Sequence, residues 1–458
     1  MPDTRFDLAN LKNAYINGAK VTEVIQEAYD RIAADNRPGV WISLRPIEKA
    51  MEIAASLEQQ SPASLRLFGV PFAAKDNIDV ADLETTAGCP AYDYRPERSA
   101  RVVERLEAAG AICIGKTNLD QFATGLNGTR SPFGACASAF DTSMVSGGSS
   151  SGSAVAVALQ HVAFALGTDT GGSGRIPAGL NNVVGLKPTV GALSSTGLVP
   201  CCRTLDCPSV FALSVDDALE IAALAFEPDV SDPSLRPSFS GNPFRSAKLQ
   251  SKKAVLAPRK MDLEFFGNDE GLKLYQEALA RFDRLGFEII EIDFQPLVEA
   301  GTALFDGPWV AERYAAIGEF LAAHSDDVLE TTRSIVKNGA RWSSVDLFAR
   351  RYRLREIRAD LHTQFERADA LIVPTVAPLY SIAEMQADPI VLNNQHGHYS
   401  YFANLLDLSG LSIPAGFHQA GMPFGITLLA PALQEASLAS LAAQFLEGSA
   451  KCFGKLRA

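Results

Sequence analysis

The fold class that the sequence predicts is α/β: a central mixed β-sheet covered on both faces by helices. Three observations predict it. From Leu67 onward, short apolar runs (Phe68 to Ala74, Ala111 to Ile114, Val162 to Leu166, Val183 to Leu186) recur between glycine-rich turns, as in strands buried on both faces. Helical segments such as Ser99 to Ala109 lie between these runs, and strands that alternate with helices call for a covered, parallel or mixed sheet. The 458 residues are 47% hydrophobic and 21% charged, enough to fill such a core and unlike disordered, collagen-like or fibrous chains.

Taken in order, residues 6 to 60 read as an outer helical layer, with Leu8, Leu11, Ala14, Tyr15 and then Val24, Ile25, Ala28, Ile32 at three- and four-residue spacing. Residues 66–227 hold the apolar runs and form the core. Residues 228–250, rich in proline and serine (Pro233, Pro237, Pro243), resemble a linker. Beyond it, residues 250–458 carry amphipathic helices (Asp269 to Leu285, Asp326 to Asn338, Asp346 to Ala368) and two strand-like pieces, Ala370 to Val373 and Pro423 to Leu429, which complete the sheet. No repeat divides the chain, so residues 1–458 are expected to form one domain.

Charge and cysteine usage narrow the function. With 41 Lys+Arg against 53 Asp+Glu, the net charge of −12 repels phosphate backbones and anionic bilayers, which argues against nucleic-acid and membrane partners. Met1 to Leu11 lacks a signal-peptide pattern, and the most apolar stretch, Ala154 to Leu166, is broken by Gln160 and His161, short of the roughly 18 apolar residues a span requires. Seven cysteines without a C-x-x-C pair suit free thiols in a reducing, cytoplasmic setting. Cys201, Cys202 and Cys207 cluster, but no histidine lies near them in sequence, so buried thiols are expected rather than a metal site. His396 and His398 have the spacing of a strand-borne ligand pair, yet their polar surroundings read as a loop.

Two motif matches fail on context. Gly110 to Thr117 fits the G-x-x-x-x-G-K-[ST] phosphate loop, the remote alternative of a nucleotide-binding protein. There, however, a helix precedes Gly110 and the intervening Ala-Ile-Cys-Ile reads as the strand, so Gly110 is better explained as a residue just past a helix end. Gly148-Ser-Ser150-Ser-Gly152 fits the G-x-S-x-G nucleophile elbow, but the polar run from Phe140 to Ser146 before it is no central strand.

The segment Ser146 to Ser153 contains only serine and glycine, the composition of a flexible linker. It runs directly into Ala154-Val-Ala-Val-Ala-Leu159, a small-residue helix that must be buried, so the loop belongs inside a domain. Twenty residues on, Gly167-Thr-Asp-Thr-Gly-Gly-Ser-Gly174 follows a strand and leads toward Pro177 and a short helix. Such a turn gathers backbone N–H groups at one point, the requirement of an oxyanion hole. A serine there needs a base. His161 sits in the apolar run and reads as packed. The alternative is Lys75, at the end of an apolar strand, whose pKa burial would lower; to work near neutral pH it must fall by about 3 units.

The blocks Gly69 to Asn77, Gly147 to Ser153 and Gly167 to Arg175 resemble the three blocks of the amidase signature family, in its order and at its spacing. Gly185 to Thr189, Val373 to Thr375 and Gly421 to Gly425 extend the match over essentially the whole chain. The resemblance implies the amidase signature fold and a Ser-cisSer-Lys triad: Ser173 as nucleophile, Ser149 as the bridging serine behind a cis bond to Gly148, and Lys75 as base. The family's 24-residue separation of its serines selects Ser149 over Ser150. The N–H groups of Thr170, Gly171, Gly172 and Ser173 would hold the oxyanion, with no cofactor. Ser151, where the family usually has glycine, departs from the pattern.

Within the family the allophanate hydrolases are the most similar, through Lys116 to Arg130, Ser173 to Ala178, Arg203 to Cys207 and Gly307 to Arg313. This implies hydrolysis of allophanate to ammonia and N-carboxycarbamate, in urea or s-triazine nitrogen catabolism, by a homodimer. So small an anion needs a cation, and the resemblance nominates Arg313, which can grip a carboxylate bidentately; the competing expectation for it is a helix-surface ion pair. Gly125 and Phe305 join it as substrate-binding candidates. Phe305 stands where the family's substrate-contacting tyrosine is expected, so either the pocket lacks that hydroxyl or the position was substituted. Full-length relatives continue into a smaller C-terminal domain, absent before Ala458, which suggests a truncated chain. The alternatives are a carboxybiuret hydrolase and the glutaminase component of a tRNA-dependent amidotransferase, which usually has glutamine in place of Pro177.

Overall fold

In chain order the strands are β1 (Trp41–Leu44), β2 (Pro71–Lys75), β3 (Ile112–Thr117), β4 (Phe164–Asp169), β5 (Val184–Lys187), β6 (Cys207–Ala212), β7 (Ala254–Pro258), β8 (Glu288–Ile292), β9 (Ala370–Pro374), β10 (Leu408–Phe417) and β11 (Pro423–Pro431). The structure, a computed structural model, describes residues 5–229, 231–236, 241–245, 252–447 and 453–455. Among these residues all eleven strands join one sheet, ordered β1-β3-β2-β4-β6-β5-β10-β11-β9-β7-β8. The sheet is mixed: β2 runs parallel to β3 and β4, and β7 to β8 and β9, while the other pairings are antiparallel.

The central strands β2 to β6 are buried at every position, which explains why they read as continuous apolar runs rather than alternating ones. Phe72 and Phe164, opposite one another on β2 and β4, stack at 5.0 Å. Because β2 and β4 are parallel neighbours, their C-terminal ends leave the same edge of the sheet. Lys75 ends β2 there and Asp169 ends β4, so the lysine and the glycine-rich turn that follows β4 arrive side by side. The helix Ser151–Ala158 is buried along its whole length. Its small residues permit close approach: a Cβ on Gly152 would stand 2.1 Å from the Val40 carbonyl oxygen.

Several expectations are corrected. The layer over residues 6–60 is not wholly helical, since β1 pairs with β3 at the sheet's edge. β6, β7, β8 and β10 were not anticipated: β8 carries two glutamates among three isoleucines without strict alternation, and β10 carries serine, glycine and proline that mask a strand. The helix expected from Asp326 to Asn338 is broken into two short 3₁₀ turns around Glu330–Lys337. His396 ends the short helix Val391–His396 rather than lying in a loop. Within the expected linker, Asp229 and Asp232 are buried and accept hydrogen bonds from Ser194, Ser195 and Thr196, which ties that stretch to the core; residues 230, 237–240 and 246–250 lie outside the described residues.

Candidate active site

Lys75 is fully buried where β2 ends, and its Nζ donates to Ser149 Oγ at 2.7 Å and to Thr168 Oγ1 at 2.8 Å. Burial pushes its pKa down to about 7, against the opposing pull of Cys201, Asp120, Asp206 and Asp169. An ammonium loses hydration there that two hydroxyls do not replace.

The turn carrying Ser149 is built on Asp120. Its Oδ2 accepts the N–H groups of Asn127 and Gly128 at 3.1 Å each, and its own N–H donates to the Ser149 carbonyl at 3.1 Å. A Cβ on Gly148 would meet Asp120 Oδ2 at 2.1 Å, so only glycine fits before Ser149. The Gly148–Ser149 peptide is cis. Ser150 is buried and donates to the Thr168 carbonyl at 3.1 Å; no strand precedes it, and it is not the exposed tip of an elbow. Ser151 Oγ donates to the Asn118 carbonyl at 3.3 Å, which gives the unusual serine a partner.

The turn after β4 is held by a buried ion pair. Arg175 donates from Nε to Asp169 Oδ2 at 2.9 Å and from Nη2 to Oδ1 at 3.0 Å, and the same carboxylate accepts the N–H groups of Gly172 at 2.8 Å and Gly174 at 3.0 Å. This corrects the four-donor oxyanion expectation: the Gly172 N–H already has an acceptor. Among the described residues, the N–H groups of Thr170, Gly171 and Ser173 have none. Gly172 has φ +143°, and a Cβ on it would stand 2.4 Å from Ser400 Oγ, so the turn requires glycine there. Among the described residues the Ser173 hydroxyl makes no hydrogen bond, to Ser149 or otherwise; it faces a cavity.

That half-open cavity brings together Ser173, Thr170, Gly171, Gly125, Phe305 and Arg313. Arg313 is 8% exposed. Its Nη1 donates to the Leu304 carbonyl at 2.7 Å, its Nε is buried without a partner, and it has no ion pair among the described residues, which overturns the expectation of a helix-surface salt bridge. Among the further lining residues that sequence reasoning missed are Arg130, Asn393 and Tyr401. Arg130 is buried too, and its guanidinium donates to the carbonyls of Thr124, at 2.9 Å, and Pro389. The available signal was an arginine closing the glycine-rich stretch up to Arg130; Tyr401 carried none, because it reaches the cavity from far along the chain.

A family model described as Amidase matches residues 23–439. The chain belongs to the Amidase family. It is an amidohydrolase by that membership, and similar to the urea amidolyase of Saccharomyces cerevisiae, 41% identical over 432 residues, which cover 93% of this chain and 23% of that protein. The urea amidolyase of Lachancea kluyveri is 40% identical over 423 residues, 91% of this chain and 23% of that protein. The chain thus spans about a quarter of the length of the urea amidolyases it matches. The solved structure of selenomethionine-substituted Kluyveromyces lactis allophanate hydrolase superposes with a TM-score of 0.91 at 39% identity, over 97% of this chain and 73% of that one.

Around this candidate site lies a shell of buried titratable groups. Asp206 Oδ1 accepts from Thr170 Oγ1 at 2.5 Å and its Oδ2 accepts the N–H groups of Cys201 and Cys202; burial pushes its carboxyl up to about 7. Cys201, Cys202 and Cys207 are buried free thiols, and Cys452 lies outside the described residues. Among the described residues no group of three His, Cys, Asp or Glu is placed to hold a metal. Lys116, the lysine of the phosphate-loop match, is buried in β3 with Nζ 3.2 Å from Asp76. A strand between the two glycines leaves no open backbone to cradle a phosphate, so that alternative fails.

Proposed function

We propose that this amidase hydrolyses allophanate to ammonia and N-carboxycarbamate, with Lys75, Ser149 and Ser173 as its triad. The observation that carries the substrate is Arg313, a buried guanidinium in the same cavity as Ser173 with no carboxylate partner among the described residues. An unpaired buried charge is costly; an anionic substrate offsets that cost. The likeness to urea amidolyases and to a solved allophanate hydrolase supports the same assignment.

In this reading neutral Lys75 accepts a proton from Ser149, which accepts one from Ser173 as the Ser173 oxygen attacks the amide carbonyl. Substrate binding brings the two serine hydroxyls into contact. The free N–H groups of Thr170, Gly171 and Ser173 stabilise the oxyanion. The relay returns the proton to the departing nitrogen, releasing ammonia and leaving an acyl group on Ser173. Water, deprotonated by the same relay, attacks the acyl carbon and restores the serine. Every step is a proton transfer or acyl transfer among groups of this chain, so it requires no cofactor. The same reading takes the enzyme to be a cytoplasmic homodimer, which light scattering tests; no helix among the described residues is long and apolar enough to cross a membrane.

The deciding experiment compares ammonia release from allophanate, biuret, malonamate and glutamine. Allophanate is expected to have the highest kcat/KM. A preference for glutamine would favour the amidotransferase reading, and a preference for uncharged biuret would leave Arg313 without its assigned role.

A further inference from the structure

The cavity lacks a hydroxyl at Phe305, yet it holds one a few ångströms away. Tyr401 lines the same cavity, and its ring packs against Phe305 with centroids 4.4 Å apart. The ring's place is built into the fold: a Cβ on Gly397 would fall 1.8 Å from Tyr401 Cε2, so glycine there makes room for it. Asn393 Nδ2 donates to the phenol oxygen at 3.0 Å, occupying it as an acceptor. Its own proton has only a 3.5 Å contact with Asn394 Oδ1, too long for a strong bond. Burial raises the pKa of this phenol while nearby Arg130 and Arg313 pull it down; it remains a protonated donor at neutral pH, within the electrostatic reach of both guanidinium groups.

We propose that Tyr401 is a specificity residue that donates its hydroxyl hydrogen bond to the substrate carboxylate held by Arg313, supplying the hydroxyl that Phe305 lacks. The inference rests on the reading of an anionic amide substrate. Its chemistry is that of a carboxylate with several lone pairs in a half-open cavity, where one guanidinium serves part of them and a neutral O–H in the same cavity serves another. Arg130, with its two carbonyl partners, supplies field rather than the primary grip.

The test reads binding without turnover, in a Ser173→Ala background, as thermal stabilisation by malonamate and by its uncharged analogue malonamide. Tyr401→Phe is expected to raise the malonamate concentration for half-maximal stabilisation about tenfold or more, the loss of one hydrogen bond to a charged group, and to change that for malonamide less than twofold. Adding Phe305→Tyr is expected to recover most of the loss, because it returns a hydroxyl to the other ring. Equal weakening on both ligands, unchanged malonamate binding, or a loss that Phe305→Tyr leaves in place would overturn the proposal. If the wild-type chain releases no ammonia from allophanate while malonamate binding still depends on Tyr401, the substrate reading fails and the carboxylate subsite stands. Active allophanate turnover with malonamate binding indifferent to Tyr401 sinks the subsite alone.

Discussion

Lys75 and Ser149 are both fully buried and joined by a 2.7 Å hydrogen bond from Nζ to Oγ. A protonated lysine there would keep its charge with hydroxyl partners only, and no carboxylate forms an ion pair with it among the described residues. The pairing therefore favours the free amine, the form that can take a proton from serine. β2 and β4, running parallel, set this relationship by ending together, and the Asp120 network holds the Ser149 backbone to receive the lysine.

Ser173→Ala is expected to lower ammonia release by about 10⁴-fold or more while leaving folding intact, the scale of a lost nucleophile. Near-native far-ultraviolet circular dichroism with no activity supports it. Mass spectrometry that maps a covalent inhibitor adduct to Ser150 would reassign the nucleophile.

Activity is expected to fall on acidification through about pH 7, the value to which burial brings Lys75. The sign follows from the chemistry: the base works only deprotonated, so the rate rises with pH and levels off above its pKa, dropping about tenfold per unit below it. Lys75→Ala should be nearly as damaging as loss of the serine. A rate that stays flat down to about pH 5, or a variant retaining more than about a tenth of the wild-type rate, would leave the base unidentified.

Arg313→Ala is expected to raise KM for allophanate far more than for biuret, since a charge-assisted hydrogen bond contributes about 1.5–3 kcal/mol and only the anion uses it. Steady-state kinetics on both substrates checks this. Equal changes would make Arg313 structural, through its bond to the Leu304 carbonyl.

His396 is expected to make stability depend on pH. Its Nδ1 donates to the Leu126 carbonyl at 3.3 Å, and burial pushes its pKa down from 6.5 to about 4. The unfolded chain takes up the proton first, so stability present above about pH 6.5 is lost as pH falls toward 4, on the order of 3 kcal/mol. Urea midpoints measured from pH 7 to 4 should fall less steeply in His396→Gln than in the wild type. Parallel slopes would show that another group carries the effect.

How much was legible follows from how local each signal is. The buried strands β2 to β5 were readable because a strand covered on both faces writes itself as an unbroken apolar run. Composition drew attention to the blocks that hold the proposed triad: a serine and glycine loop leading into a small-residue helix, a glycine turn after a strand, and one lysine ending an apolar strand. The roles of Ser173, Ser149 and Lys75 came from the resemblance to the family. β8 and β10 were not readable, because an edge strand carries charge and β10 carries serine and proline; their state depends on partners distant in sequence.

What the sequence by itself determined is the fold class, the family and the residues proposed for the chemistry, because periodicity, glycine placement and block order are local properties of the chain. Only the tertiary structure decided which groups are spoken for. The Gly172 N–H belongs to Asp169, Arg313 has no ion-pair partner among the described residues, and Tyr401 meets Phe305 across almost a hundred residues of sequence. Hydrogen-bond occupancy and desolvation are properties of the packed state: they depend on which distant segments close over a group, and the order of residues along the chain does not specify that closure one position at a time.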